Sequence, residues 1–570
     1  MDITVKIGGE AGQGIQTVGA LISQACHSAG YYLLSVNDFE SRIRGGHSFL
    51  QIRVSDAPIT APSHRVALLV ALNRQTYDLH KQEVDSTGVI LLNDAENRVE
   101  KNTVRLNTVR LNIDELAIQA GGKITANTVA AGAVLSLMGA DFQLIETILT
   151  KRFSSKGDGV VQMNVAAARL GYESMSGVDF SAKTVMKSSA PKGKLINGSR
   201  AAALGALAAD CRFAAFYPMS PATAIMGAFD SFSDDFPIVT EQAEDEIAAM
   251  NMIIGASYAG VRAMTSTSGG GFCLMTEALG LAAMAETPVV VINAQRPGPA
   301  TGLPTRTSQS DLLFVINASQ DEFPRFVFAP GAPHETFETM IRAFHLSDKY
   351  QAPAIILMDQ YLCDSSFVAE KPFAVPEKIE RFIVGDDQIE NSSEYQRFAL
   401  TADGVSPRAL PCAGRALSLA TGNEHLEDGH ISEDQTNRKK MVEKRLAKFS
   451  GMRAEMRAPE TYHEGAALML ASWGSSNGAV KEATLALNEM GVDAGCMNLV
   501  DIWPFPGEPV AEILSKSRRF VVVECNSYAQ LGKLIAQETG VQYDHAVLKY
   551  DGRPIYPIDI LNDLKDAGLA

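Results

Sequence analysis

Phe213-Ala214-Ala215-Phe216-Tyr217-Pro218-Met219-Ser220-Pro221 is an apolar run that ends on a hydroxyl held between two prolines. Proline fixes φ and removes a backbone donor, so the stretch reads as a strand closed by a rigid loop. A serine on such a loop can face a cleft with little conformational entropy left to lose. Further along, Glu246 stands at the head of a small-residue, apolar helical run over residues 247–260. A carboxylate there either starts a helix or does proton chemistry in a dry site. Strand, loop and helix in this order form the repeating unit of an α/β sheet.

The same alternation extends on both sides. A helix over 199–209 precedes the loop. A strand over 261–267 ends in Ser268-Gly269-Gly270-Gly271, a helix runs to 285, and a strand over 288–294 ends in Gln295-Arg296-Pro297-Gly298-Pro299. With a late strand over 354–358, residues 198–375 read as one domain with a mostly parallel sheet covered on both faces. Residues 1–180 read as another α/β domain: a strand over 3–7, a glycine loop from Gly8 to Gly14, a helix over 15–29, and strands over 48–54, 66–72 and 88–92. Residues 181–197, rich in Lys, Ser, Pro and Gly, form a linker. Residues 376–462 form a polar bridge whose mixed charges over 433–445 predict an exposed helix. Strands over 467–471, 493–499 and 519–524 define a third α/β domain over 463–570. The expected architecture is three parallel-sheet α/β domains. The doubled Thr-Val-Arg-Leu-Asn at 103–112 is far shorter than any solenoid repeat and is a local duplication.

Composition narrows the function. The chain has 570 residues, 46% apolar and 20% charged, which suits a soluble globular protein with several cores. A formal charge of −16 argues against nucleic-acid and anionic-membrane partners. Met1-Asp2-Ile3-Thr4-Val5 runs straight into a strand without a signal peptide, and no run of about 18 apolar residues occurs, so the expected location is the cytoplasm. Seven scattered cysteines contain no C-x-x-C pair, so local spacing builds neither a zinc nor an iron–sulfur site.

Several motifs carry chemistry. Gly9, Gly12, Gln13 and Gly14 follow a strand and open a helix, a context in which backbone N–H groups face a phosphate. The order is G-x-x-G-x-G, not the dinucleotide G-x-G-x-x-G, and a tight turn explains it as well. Arg42 and Arg44 beside Gly45-Gly46 suit a phosphate or carboxylate. Gly157-Asp158-Gly159 opens the magnesium-diphosphate pattern of thiamine enzymes, but the required Asn pair is missing from 182–189, so it reads as a turn. Arg296 and Arg306 lie at or beyond a strand's C-terminal end, where open α/β sheets bind ligands; each is a candidate clamp for a substrate carboxylate, the alternative being a surface charge that serves solubility. Taken singly, Ser220 reads as a turn hydroxyl and Glu246 as a first-turn carboxylate worth about 0.5 kcal/mol.

Together these residues resemble the 2-oxoacid:ferredoxin oxidoreductases. Tyr217-Pro218-Met219-Ser220-Pro221 is similar to the family's Y-P-I-T-P loop, with Met for Ile and Ser for Thr. The stretch from Gln295 to Leu313 resembles the 2-oxoglutarate-type version. Gly8 to Gly14 and Arg44-Gly45-Gly46 resemble the family's γ subunit, so the chain looks like γ fused ahead of α, with a transketolase C-terminal-like third domain.

The resemblance implies that Tyr217, Pro218, Met219, Ser220 and Glu246 form the pyrimidine side of a thiamine diphosphate site, with Glu246 as the catalytic carboxylate. It implies that Ser220, Arg296 and Arg306 bind substrate, and that Gly9, Gly12, Gln13, Gly14, Arg42 and Arg44 contact coenzyme A or a phosphate. It implies a separate β subunit carrying the diphosphate site, magnesium and an iron–sulfur cluster, ferredoxin as acceptor, and a dimer of α–β pairs. The implied reaction is reversible, coenzyme A-dependent oxidative decarboxylation of a 2-oxoacid, 2-oxoglutarate first, giving succinyl-CoA and CO2. A thiamine half-enzyme without redox centres and a coenzyme A- or nucleotide-binding regulator are the alternatives.

Overall fold

The computed structural model describes residues 2–41, 45–94, 107–180, 186, 189–385, 389, 395–411, 413 and 416–570. The chain forms two compact units. One holds residues 1–196, 365–372 and 556–558, and the other holds 197–364, 373–555 and 559–570.

The first unit is built on an eight-stranded sheet. Its central strand, Asp2–Glu10, pairs in parallel with Val66–Ala71, which continues in parallel through Val84–Asn93 to Thr108–Leu111. On the other side the pairing turns antiparallel: Asp2–Glu10 with His47–Ser55, His47–Ser55 with Tyr32–Asp38, and Tyr32–Asp38 with Ser366–Ala369. The α/β class stands, but this sheet is mixed rather than parallel. The reason is Tyr32–Asp38, a strand whose apolar run ends in polar Asn37 and Asp38 and so gives a weak strand signal. Gly8 and Gly9, read from sequence as loop, are strand residues, and the turn is confined to 11–14. The linker reading also shifts, because Lys194–Asn197 is the edge strand of this sheet. Residues 181–185 and 187–188 of that linker lie outside the described residues, as does most of the first copy of the 103–112 duplication.

The second unit carries two sheets. In the larger, the order is Asp501–Trp503, Phe326–Phe328, Ala354–Asp359, Val290–Gln295, Arg262–Thr267, Cys211–Phe216, Val239–Gln242. Every pairing is parallel except that of the outer strand Asp501–Trp503. Arg262–Thr267, Val290–Gln295 and Ala354–Asp359 are buried along their whole length, as strands covered on both faces must be. The smaller sheet runs Glu460–Tyr462, Ala494–Leu499, Leu468–Trp473, Arg519–Glu524, His545–Leu548, parallel apart from its first strand. One hydrophobic core spans both sheets, from Phe272 and Val291 to Trp473 and Val522. The two sheets of this unit therefore hold a fixed relation, and loops at their strand ends meet.

The charged helix, Gln435–Ala454, is exposed on one face, as at Lys439, Lys440 and Glu443, but its other face is buried, which its composition does not predict. Lys444, Arg445 and Lys448 are buried. Lys444 Nζ and Lys448 Nζ bond the two oxygens of the buried Glu286 at 2.5 and 2.6 Å, and Arg445 bonds Glu424. Mixed charge marks a solvated helix only when its partners lie on the same helix. Here Lys439 and Glu443 pair on the helix itself, 3.8 Å apart, but Lys444, Arg445 and Lys448 find their partners outside it.

Candidate active site

The site lies at the C-terminal ends of the parallel strands in the larger sheet of the second unit, the position at which open α/β sheets bind ligands. Strand Cys211–Phe216 delivers the proline loop, and Ser220-Pro221 is a cis peptide. Strand Arg262–Thr267 ends beside it, and the Thr267 hydroxyl points at Met219 Sδ, 3.8 Å away.

Helix Glu246–Tyr258 begins across from Thr267. Its N-cap is Asp245, whose Oδ1 accepts from the Ala248 N–H at 2.7 Å. Glu246 is the first residue of this helix, the first-turn position read from sequence, and the capping bond is made by Asp245 instead. Glu246 is 3% exposed, and its Oε1 is buried without a hydrogen-bond partner. A buried carboxylate oxygen left unpaired costs free energy unless a ligand supplies the donor.

Helix Gly269–Met284 completes the wall. A Cβ on Gly271 would come within 2.5 Å of Glu246 Oε1 and closer still to Thr267 Oγ1, so only glycine lets this helix approach the carboxylate. The N-cap Ser268 makes no side-chain cap bond, and its buried hydroxyl also lacks a partner.

Strand Val290–Gln295 brings Arg296 to the proline loop. Arg296 Nη1 donates to the Ser220 carbonyl at 2.6 Å, so the guanidinium and the serine share one corner. Behind them Asn293 Nδ2 donates to Asp311 Oδ2 at 3.1 Å, and Gln295 Oε1 accepts from the Asp311 N–H at 3.0 Å. Burial pushes the Asp311 carboxyl up to about 6, with the Asn293 bond opposing it. Its oxygens press against Gly269, where a Cβ would come within 2.9 Å of Oδ1.

Met219, Ser220, Glu246 and Arg296, all singled out from sequence, thus converge on one place. Tyr217 and Pro218, like Ser220, are exposed on this loop. Arg306 is not at that corner. It sits further along the loop after Arg296, with the base of its side chain against Gly552, in the bend that follows the last strand of the smaller sheet, where a Cβ would lie 3.1 Å from Arg306 Cβ. Sequence reasoning passed over Thr267, Gly271, Asn293 and Asp311. The signal available was three glycines directly after a strand.

In the first unit, Gly12 and Gly14 have φ of +96° and +75°, a region that favours glycine, and Gly14 opens helix Ile15–Ser28 without a side-chain cap. A Cβ on Gly9 would strike Gln13 Oε1 at 2.6 Å. Gln13 itself is engaged within the protein: its Oε1 accepts from Glu10 N at 2.7 Å and Asn73 Nδ2 at 3.3 Å. Arg42 and Arg44 lie outside the described residues. Asp158 of the Gly-Asp-Gly motif simply starts helix Asp158–Glu173.

Comparisons with known proteins place the chain among relatives. Family models described as "Pyruvate ferredoxin/flavodoxin oxidoreductase", "Pyruvate flavodoxin/ferredoxin oxidoreductase, thiamine diP-bdg" and "Pyruvate:ferredoxin oxidoreductase core domain II" match residues 4–174, 204–444 and 466–560. The 2-oxoacid:ferredoxin oxidoreductase subunit alpha of Saccharolobus solfataricus is 31% identical, over 99% of this chain and 98% of its own. The 2-oxoglutarate oxidoreductase subunit KorA of Mycobacterium tuberculosis is 28% identical, over 92% of this chain and 86% of its own. A solved 2-oxoglutarate:ferredoxin oxidoreductase from Magnetococcus marinus, with 2-oxoglutarate, coenzyme A and succinyl-CoA bound, superposes with a TM-score of 0.92 at 28% identity, covering 99% of both chains.

The chain belongs to the 2-oxoacid:ferredoxin oxidoreductase family, as an alpha-type subunit. It is an oxidoreductase chain with a thiamine diphosphate-binding domain. No helix among the described residues is long and apolar enough to cross a membrane.

Proposed function

We propose that this subunit serves the coenzyme A-dependent oxidative decarboxylation of 2-oxoglutarate, giving succinyl-CoA and CO2 and reducing ferredoxin. The observation that carries the proposal is the buried, partnerless Oε1 of Glu246 beside a glycine-cleared helix start. That oxygen fits an N–H donor of an aminopyrimidine ring. Bound thiamine diphosphate supplies the electron sink for loss of CO2.

The chain's own residues have distinct roles. With the cofactor bound, Glu246 Oε1 would hold and return a proton at a nitrogen of the aminopyrimidine ring, and its dry surroundings would strengthen that hydrogen bond. Tyr217, Pro218 and Met219 line the ring's side of the pocket. Ser220 and Arg296 hold the 2-oxo carboxylate. Arg306 takes the distal carboxylate, which favours a dicarboxylic substrate. In the first unit, Gly9 at the strand end and the turn residues Gly12, Gln13 and Gly14, together with Arg42 and Arg44, receive a phosphate of coenzyme A. Reduced ferredoxin and CO2 drive the same steps in reverse.

The remaining half of the cofactor site belongs, in this proposal, to a β subunit that brings the diphosphate ligands, magnesium and the iron–sulfur cluster. Two helices support this. Glu246–Tyr258 and Gly269–Met284 carry only Glu246 and Glu277 as charged residues, yet Ile247, Met252 and Leu274 stand 48, 39 and 50% exposed. Helices apolar on all sides are built to be covered. Two α–β pairs related by twofold symmetry complete the proposed assembly.

The test is steady-state kinetics on the assembled complex. Glu246→Gln should lower kcat with 2-oxoglutarate, coenzyme A and ferredoxin by about 100-fold while the complex stays intact. A substrate screen across 2-oxoacids should place 2-oxoglutarate first in kcat/KM. Near-normal turnover of Glu246→Gln would remove the proton-holding role, and a preference for pyruvate would remove the distal-carboxylate role of Arg306.

A further inference from the structure

The C-terminal strand ends of the smaller sheet are where a free-standing domain of this kind would hold a ligand. In this protein Gln309, from the loop that carries Arg306, fills that position. Gln309 is 0% exposed, and each of its polar groups bonds to the domain bearing that sheet. Its N–H donates to the Cys525 carbonyl at 2.8 Å, and its Oε1 accepts from the Cys525 N–H at 2.8 Å. Its Nε2 donates to the Trp473 carbonyl at 2.7 Å, and its carbonyl accepts from Asn526 Nδ2 at 3.0 Å.

The anchor is itself braced. Glu524, buried at the end of its strand, accepts from Trp473 Nε1 at 3.1 Å and from Asn526 Nδ2 at 2.7 Å. The loop is gripped again on either side of Gln309. Thr307 N donates to the Gly552 carbonyl at 3.3 Å, and Gln530 Nε2 donates to the Ser310 carbonyl at 2.7 Å.

We propose that Gln309 is a positioning residue for substrate selection. The smaller-sheet domain uses its ligand crevice to hold the loop, and the loop sets where Arg306 stands. The domain has exchanged a ligand site for control of a neighbouring one. A buried glutamine with all groups satisfied fixes the loop backbone, and a long side chain three residues away magnifies any displacement of it. Selection of a dicarboxylic over a monocarboxylic 2-oxoacid therefore depends on contacts made outside the thiamine-binding domain. This inference rests on the assignment of Arg306 to the distal carboxylate.

The experiment compares Gln309→Met, Asn526→Ala and Arg306→Ala in the complete α–β complex, with 2-oxoglutarate and pyruvate as substrates. Met keeps the volume of Gln309 and removes its side-chain bonds. Asn526→Ala frees the Gln309 carbonyl while Glu524 keeps its other donors, so one variant remains if the other fails to fold. We expect each variant to raise KM for 2-oxoglutarate by about 10-fold, and the Gln309 and Asn526 variants to keep KM for pyruvate and kcat within about twofold. If Arg306→Ala shows this selective rise and the Gln309 and Asn526 variants do not, the positioning role is overturned while the Arg306 assignment stands. If the Gln309 and Asn526 variants raise both KM values alike or lower kcat with both substrates, the effect is general loosening and the proposal is also overturned. If Arg306→Ala leaves KM for 2-oxoglutarate unchanged, the Arg306 assignment fails and this inference falls with it.

Discussion

At the scale of single residues, two neighbouring acids divide the work at one helix start. Asp245 satisfies the backbone and thereby leaves Glu246 free to face a ligand. Gly271 maintains that freedom by having no side chain. Gly271→Ala should drive its methyl into the carboxylate. We expect kcat to fall by about 10-fold or more and thiamine diphosphate to bind more weakly, with far-UV circular dichroism unchanged, because the displaced groups are the site's own. Unaltered kinetics in that variant would show that Glu246 has room to move. Ser220 and Glu246 were legible from sequence because each is a local anomaly: a hydroxyl between prolines, and an acid heading an apolar run. Asn293 and Asp311 were not. They are ordinary polar residues, brought together only when strand Val290–Gln295 and the returning loop take their places.

At the scale of elements, period and punctuation located most strands of the second unit to within a residue or two, since fully buried parallel strands are short apolar runs between turn signals. The predicted strand over 519–524 is the observed Arg519–Glu524. The same rules failed where an element's partner decides its character. Helix Gln435–Ala454 looked solvated because charge pattern says nothing of a carboxylate 158 positions away from Lys444. Helices Glu246–Tyr258 and Gly269–Met284 present the opposite case, with apolar side chains facing outward. Met252→Glu or Leu274→Glu should leave the chain folded, with a melting temperature close to that of the wild type. It should abolish co-elution with the β subunit in size-exclusion chromatography, because a charge would be buried without a partner at the proposed interface. Normal assembly of both variants would place the interface elsewhere.

At the scale of the whole molecule, buried charge ties distant parts of the second unit together. Lys444 is pulled down to about 8 by burial and the nearby Lys448, against the attraction of Glu286. In the unfolded chain a lysine titrates near its usual value of about 10.4. Below pH 8 both states hold the proton. Between about 8 and 10.4 the unfolded chain binds more of it, so the contribution of Lys444 to stability rises with pH. The melting temperature of the wild type minus that of Lys444→Met should therefore shift in favour of the wild type between pH 8 and 10. A difference that stays flat with pH would mean that Lys444 is not held as described. The return of Ser366–Ala369 to the first sheet was equally invisible in sequence, since a four-residue strand carries no address. Its consequence concerns birth rather than function. When residue 196 leaves the ribosome, strand Tyr32–Asp38 is still an open edge, and it stays open until residue 369 emerges. At synthesis rates of about 5–20 residues per second that interval is on the order of ten seconds or longer. Throughout it the nascent chain displays an unpaired β-edge, a standing invitation to other chains. A fragment cut near residue 180 would keep that edge for life, so its solubility should be restored by supplying a peptide spanning residues 365–372.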